Sequence, residues 1–493
     1  MISELSRMVN TLHHLNYRVN MEALALWQGQ KPPFAAYRIY EGFDEFLHLD
    51  TLAKIEDIPD PFVKSRLRHA FIDHYLQRAL HPHEMEMRTW MRGAAAHVKG
   101  RKIYFGQIIP WCQKSSTYEE RQVLQKETGP LCKFLKPFAL NYWELLMKLL
   151  KRDLGFLNYV DYCARKKHTD YAAAYEMVRA LLEETDELYF PAMEAWSRER
   201  FGRPLADLTR FDAICLLGLG EFDTLYPCSS LEETEGFFRR WEIDPARTSG
   251  LHLLIGREED RSTQAMCFIL EVPEEVYVLV KPEGGWVDLE SFWHELGHGL
   301  SAVHTSSRLS VVERDLATSF RLSEAYAFLL QNMSLSPPVL EDYLALSEAD
   351  ALRISRYKAL KDLSIFRRYG AKFLAEYEMF SSGRIEDGTG YAEKMRRYTG
   401  FYYQPESHLF DLVPEFYSLD YVLGWLTEAI LERHLRERFG PAWMFTPRAG
   451  ELLKAWWRQG NRYDVETFLS ENGLGTMDPG PLTDRWAEAL KSW

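Results

Sequence analysis

The segment Asp288-Leu-Glu-Ser-Phe-Trp-His294-Glu295-Leu-Gly-His298 constrains this chain more than any other stretch of its 493 residues. Histidines four apart lie about 40° apart around an α-helix, so a helix here presents both imidazoles to one ion from one face. Glu295 sits about 100° round from His294, where its carboxylate can reach a water at that ion without replacing a ligand. Asp288 is placed to cap the start of the helix. The H-E-x-x-H spacing therefore points to metal-assisted hydrolysis. The plain structural alternative is a helix whose polar face happens to carry two histidines.

A catalytic zinc takes three protein ligands and keeps one position open. Two residues compete for the third place. His304 fits the spacing H-E-x-x-H-x-x-G-x-x-H of the metzincins, except that Ser301 stands where glycine would let the chain turn sharply. Glu324 lies 26 residues after His298 in a second helical stretch, Leu322-Ser-Glu-Ala-Tyr-Ala-Phe-Leu-Leu-Gln331. Two antiparallel helices would bring His294, His298 and Glu324 around one ion, and the pattern favours Glu324. Two imidazoles and a carboxylate suit one zinc per chain, although cobalt or manganese can occupy such a set in the test tube.

Around this motif the chain reads as mainly helical. Residues 61–98, 116–154 and 169–201 carry long amphipathic patterns. Ser116 with Glu119 makes a capping box for the second, and Gly155 a stop. The cluster His81-Pro82-His83-Glu84 resembles a ligand set, but proline is expected to break the face its histidines would share, so these read as helix-end polar residues. Between residues 250 and 290 the period becomes extended. Residues 265–272 and 276–280 read as a hairpin across Pro273-Glu-Glu, closed by Gly284-Gly285. Helices then continue to the C-terminus, interrupted by loops at 381–391 and 398–412.

A net charge of -13 argues against nucleic acid as a partner, since phosphate binding needs a basic stripe. No run approaches the ~18 apolar residues of a membrane span. The start, Met-Ile-Ser-Glu-Leu-Ser-Arg-Met, lacks the basic and apolar regions of a secretory signal. A cytosolic protein with no membrane contact is expected. The cysteines at 112, 132, 163, 215, 228 and 267 form no C-x-x-C pair and read as reduced core thiols.

Taken together, the motifs resemble those of the zinc peptidases of the thimet oligopeptidase and oligoendopeptidase F family. Val276-Tyr-Val-Leu-Val280, Gly284-Gly285, Asp288 and His294-Glu-Leu-Gly-His298-Gly are similar to that family's edge strand, glycine turn and active-site helix. Ser323-Glu324-Ala-Tyr-Ala-Phe-Leu-Leu-Gln-Asn332 is similar to its glutamate helix, and Phe416-Tyr417-Ser-Leu-Asp-Tyr421-Val-Leu-Gly424 to its tyrosine-bearing helix. The matching motifs span about residues 265–435.

The resemblance implies a large, mainly α fold with a deep channel that admits short unstructured peptides. Residues 1–205 would form one wall and residues 206–493 the catalytic region. It implies hydrolysis of short peptides with Glu295 as general base and Tyr421 donating to the oxyanion, with Tyr417 a second candidate. The family usually has a histidine shortly before this helix; here Asp411 takes the direct alignment, and His408, three residues earlier, is a further candidate. Helical carboxypeptidases share the ligand set, which leaves exopeptidase action open. The strand at 276–280 could pair with substrate backbone, and the loop Asp387-Gly-Thr-Gly-Tyr391 reads as a connector or a lid. A non-catalytic peptide-binding scaffold is the alternative of another class, against which the intact Glu295 argues.

Overall fold

In a computed structural model of the chain, residues 4–30, 38–228, 230–256 and 265–491 are described. Residues 1–3 of the N-terminal stretch, and 257–264 of the region expected to be extended, lie outside these. Helix α1 (Glu4–Trp27) and a short helix, Leu49–Glu56, precede α2 (Pro61–Gly93). Asp60 starts α2 by accepting from the amides of Phe62 and Val63, with Pro61 at the first helical position. The helix then continues through Pro82, contrary to expectation. Pro82 is exposed, so water can serve the carbonyl that its ring leaves without an amide. The helix stops at Gly93 instead of running to 98, because β1 (Ala95–Val98) pairs antiparallel with β2 (Arg101–Tyr104).

Helix α3 (Tyr118–Arg152) begins one residue later than expected, with Thr117 and Glu120 as its capping box, and ends before Gly155. Next come α4 (Tyr159–Lys167), α5 (Tyr171–Glu184) and α6 (Asp186–Phe201). The single helix expected over 169–201 divides at Thr185. There the buried Arg367 donates to the Leu182 carbonyl and the Thr185 hydroxyl, contacts no local pattern reveals.

The main sheet has the order β3 (Leu251–Ile255), β5 (Glu275–Val280), β4 (Met266–Glu271). The expected hairpin is present as β4 antiparallel to β5, while β3 joins β5 in parallel with Leu251 opposite Val276. Strand β5 is therefore central, not an edge. Its backbone groups are paired on both sides, which closes the substrate pairing expected at 276–280; among the described residues the edges of this sheet are β3 and β4.

On this sheet lies α7 (Trp286–Val303), followed by α8 (Arg321–Ser334), α9 (Glu348–Ser382), α10 (Thr389–Thr399) and α11 (Tyr417–Phe439). Helix α7 starts at Trp286, two residues before the expected cap. Asp223, 63 residues upstream, accepts the Trp286 amide at 3.3 Å, while Asp288 takes the Gly284 amide from inside the first turn. Before the segment read as a connector or a lid, the Ile385 and Glu386 carbonyls lie 2.9 and 2.6 Å from His408 Nε2 and Lys136 Nζ, and the last three residues of that segment, Thr389 to Tyr391, open α10. One connected apolar core runs from Met8 to Leu490, so the N- and C-terminal helices share it. The fold is mainly α. Among the described residues no helix is long and apolar enough to cross a membrane. All six cysteines are unpaired; four are buried, while Cys228 and Cys267 are half-buried and pack against the core.

Helices α7, α8 and α11 are largely buried, with α8 packed between α7 and α11. A Cβ on Gly297 of α7 would come 2.5 Å from the Ala327 Cα of α8, and one on Gly424 of α11 would come 2.8 Å from Glu324 Cβ. Only hydrogen fits at either place. Gly297→Ala should therefore lower stability by about 1–3 kcal/mol through overpacking, outweighing the ~1 kcal/mol that helix propensity favours alanine. Urea unfolding measures this, and a stabilised variant would contradict the close approach.

Candidate active site

One turn of α7 separates His294 from His298, and their rings stand nearly perpendicular with centroids 4.9 Å apart. Helix α8 holds both by the same ring atom. Gln331 Oε1 lies 2.9 Å from His294 Nδ1, and Ser323 Oγ 2.8 Å from His298 Nδ1. With Nδ1 as the donor in these bonds, Nε2 of each ring would keep its lone pair facing inward. There they meet Glu324: His294 Nε2 is 3.6 Å from Oε2 and His298 Nε2 is 3.7 Å from Oε1.

The three side chains fit a divalent metal. Their ligand atoms all lie within 4.8 Å of one another, and no other group among the described residues does this. Tetrahedral bonds of about 2.1 Å put ligand atoms about 3.4 Å apart, close to the separations seen. Glu324 is 1% exposed, and its Oε2 has no hydrogen-bond partner. A carboxylate oxygen so deep is costly unless a cation or donor meets it.

Dehydration sets the protonation of the group. Burial pushes the Glu324 carboxyl up to about 8, against the pull of the Tyr417 hydrogen bond. Burial also takes Glu295 up to about 8, although the Cys267 amide of β4 donates to it. His294 is driven down to about 4, again by burial, and His298 well below its usual range by burial and by His294. Both imidazoles are therefore neutral and fit to ligate near pH 7.

Tyr417 and Tyr421 of α11 reach the same centre in different ways. The Tyr417 hydroxyl donates to Glu324 Oε1, so it orients a ligand. Tyr421 stacks on Tyr369 with ring centroids 4.4 Å apart and meets Phe328 edge-on at 5.3 Å. Burial, then Glu324, Tyr369 and Glu295, raises its hydroxyl well above 10, which keeps it a donor in the field of both carboxylates.

His408 is not brought to the centre. It is 1% exposed, and its ring nitrogens face the carbonyls of Pro405 and Ile385 at 2.8 and 2.9 Å. His304 is also displaced. Ser301 stays helical, donating to the His298 carbonyl, so α7 continues to Val303; His304 then turns Nδ1 to the Leu300 carbonyl and its ring toward Trp457. Near His81, Glu22 lies 3.7 Å away, and the cluster there gathers no metal set.

Sequence reasoning missed Ser323, Gln331, Tyr369 and the Cys267 amide. Two of these left a trace: Ser323 precedes Glu324 and Gln331 follows it by two turns, the helical face on which the histidines must rest. Tyr369 left none.

No protein-family model matches the sequence, and no curated protein matches it. Solved structures do share its fold. The crystal structure described as BsuCP is 14% identical at a TM-score of 0.60, covering 98% of each chain. That of a putative oligoendopeptidase F from Bacillus anthracis str. Ames is 16% identical at 0.58, covering 93% of this chain and 82% of that one. Such identities speak for the fold.

The ligand set makes a direct prediction. After dialysis, Glu324→Ala should retain no divalent metal, while His304→Ala should retain as much as the native protein. Ser323→Ala and Gln331→Ala should bind metal about 10- to 100-fold more weakly, as loss of a ligand's own support does. Metal retained by Glu324→Ala would refute the set.

Proposed function

We propose that this chain is a zinc-dependent peptidase that hydrolyses short peptides, with His294, His298 and Glu324 as metal ligands and Glu295 as general base. The observation that carries the reading is the convergence of two Nε2 atoms on the two oxygens of the buried Glu324 carboxylate, one of them without a hydrogen-bond partner, with a second carboxylate, Glu295, directly after His294. The shared fold with a structure described as an oligoendopeptidase F supports it. Unpaired cysteines suit a cytosolic setting.

Zinc held there supplies Lewis acidity, acidifying water and polarising the scissile carbonyl. Glu295 takes the proton of the attacking water and delivers it to the leaving amine. Its half-buried position and high proton affinity suit a base working near neutral pH. Tyr421 donates to the oxygen of the scissile carbonyl as charge builds on it, an interaction worth about 3 kcal/mol in comparable sites. Tyr417 holds Glu324 and so keeps the ligand in place.

Metal content and cleavage of a mixed library of short peptides test this together. Glu295→Gln should keep one zinc per chain and lose cleavage by about 10²- to 10⁴-fold, the contribution of a positioned base. Equal cleavage by the variant would overturn Glu295 as the base, and a native chain that binds zinc and cuts nothing would overturn the peptidase reading and favour the binding scaffold.

A further inference from the structure

We propose that Lys166, Lys167 and Glu415 are positioning residues that act through Tyr421, by clamping the left-handed turn from which α11 starts. The kinetic part of this rests on the peptidase reading; the clamp itself does not.

Glu415 (φ 61°, ψ 34°) and Phe416 (φ 51°, ψ 45°) are consecutive non-glycine residues in the left-handed region. Such a pair persists only where its surroundings hold it. Here α4 supplies the hold. Lys166 Nζ lies 2.7 Å from Glu415 Oε1, which also accepts from the Tyr162 hydroxyl at 3.1 Å. Lys167 Nζ donates to the Glu415 carbonyl at 2.6 Å, and the Glu415 amide donates to the Tyr159 hydroxyl. The Phe416 ring, 1% exposed, packs on Tyr159 and Tyr171. The amide, the carbonyl and Oε1 of Glu415 are thus all tied to one short helix.

The same lysines continue the network in both directions. Lys166 is anchored to Asp73 of α2 at 2.6 Å. Lys167 also reaches Asp420 at 2.7 Å, and Asp420, 0% exposed, takes Arg321 Nε at 3.0 Å. Asp420 directly precedes Tyr421, and Arg321 opens α8 three residues before Glu324. Buried ion networks of this kind seldom stabilise a fold more than apolar packing would. Fixed direction is what they provide, and this one fixes the first turn of the tyrosine-bearing helix against the helix that carries Glu324.

The test uses the full chain with Lys167→Met, Lys167→Arg and Glu415→Gly; glycine adopts the left-handed turn freely, so this last variant guards against simple misfolding. Lys167→Met and Glu415→Gly should keep one metal per chain and near-native KM but lose about 100-fold in kcat, the scale of a 1 Å misplacement. Lys167→Arg should recover most of it. In a Tyr421→Phe background, Glu415→Gly should add less than about twofold, because the group it positions is gone. In metal-free protein, amides 417–424 should exchange faster in both loss variants. Multiplying losses in the Tyr421→Phe background, or unchanged exchange in both variants, overturns the proposal. A native chain that cuts no peptide defeats the peptidase reading instead, and exchange then decides the clamp alone.

Discussion

Where Gly297 meets Ala327 no side chain separates the two helices, and the separations at the candidate metal centre follow from that contact. His294 and His298 flank Gly297 on α7, as Glu324 and Gln331 flank Ala327 on α8. Backbones this close place Nε2 atoms within 4 Å of a carboxylate on the neighbouring helix. The same shortening recurs at Gly424, which lets α11 press against Glu324 and bring Tyr417 to its oxygen. A larger residue at either glycine would separate ligands that need to meet within a fraction of an ångström.

Close packing also removes water, and the electrostatics follow. Carboxyls rise and imidazoles fall because burial disfavours every charged form, so the metal-free set carries little charge. A divalent cation would reverse this for Glu324 while keeping the imidazoles as they are. The network around Asp420 solves the same dehydration differently. Its lysines and arginine bring their own counter-charges, three cations against Asp73, Glu415 and Asp420, so it needs no ion. One buried region has a ligand set that could hold a cation, and its neighbour is already neutralised.

Much of the centre was legible in the sequence because its information is local. His294, Glu295 and His298 are related by a helical turn, and Glu324 by its place in a second helix; no packing is needed to read either. The weighing of Glu324 against His304 could also be made locally, since Ser301 lacks glycine's freedom and the helix indeed runs on. The errors have a common form. Asp223 caps α7 from 63 residues away, Arg367 divides α5 from α6, and β3 joins β5 to make it central; each involves partners distant in the chain. His408 failed for that reason too, since its position before α11 was right but tertiary contacts turned its ring toward carbonyls.

The sequence by itself determined that the chain is mainly helical, that one helix presents two imidazoles and a carboxylate, and that a second offers a glutamate in register. Helical spacing is set within about four residues, so it survives whatever the rest of the chain does. The tertiary structure decided which hydroxyl bonds Glu324, which strand borders Glu295, and how a left-handed turn before α11 is held by lysines some 250 residues upstream. Those depend on the packing of elements far apart in the chain, which no local period records.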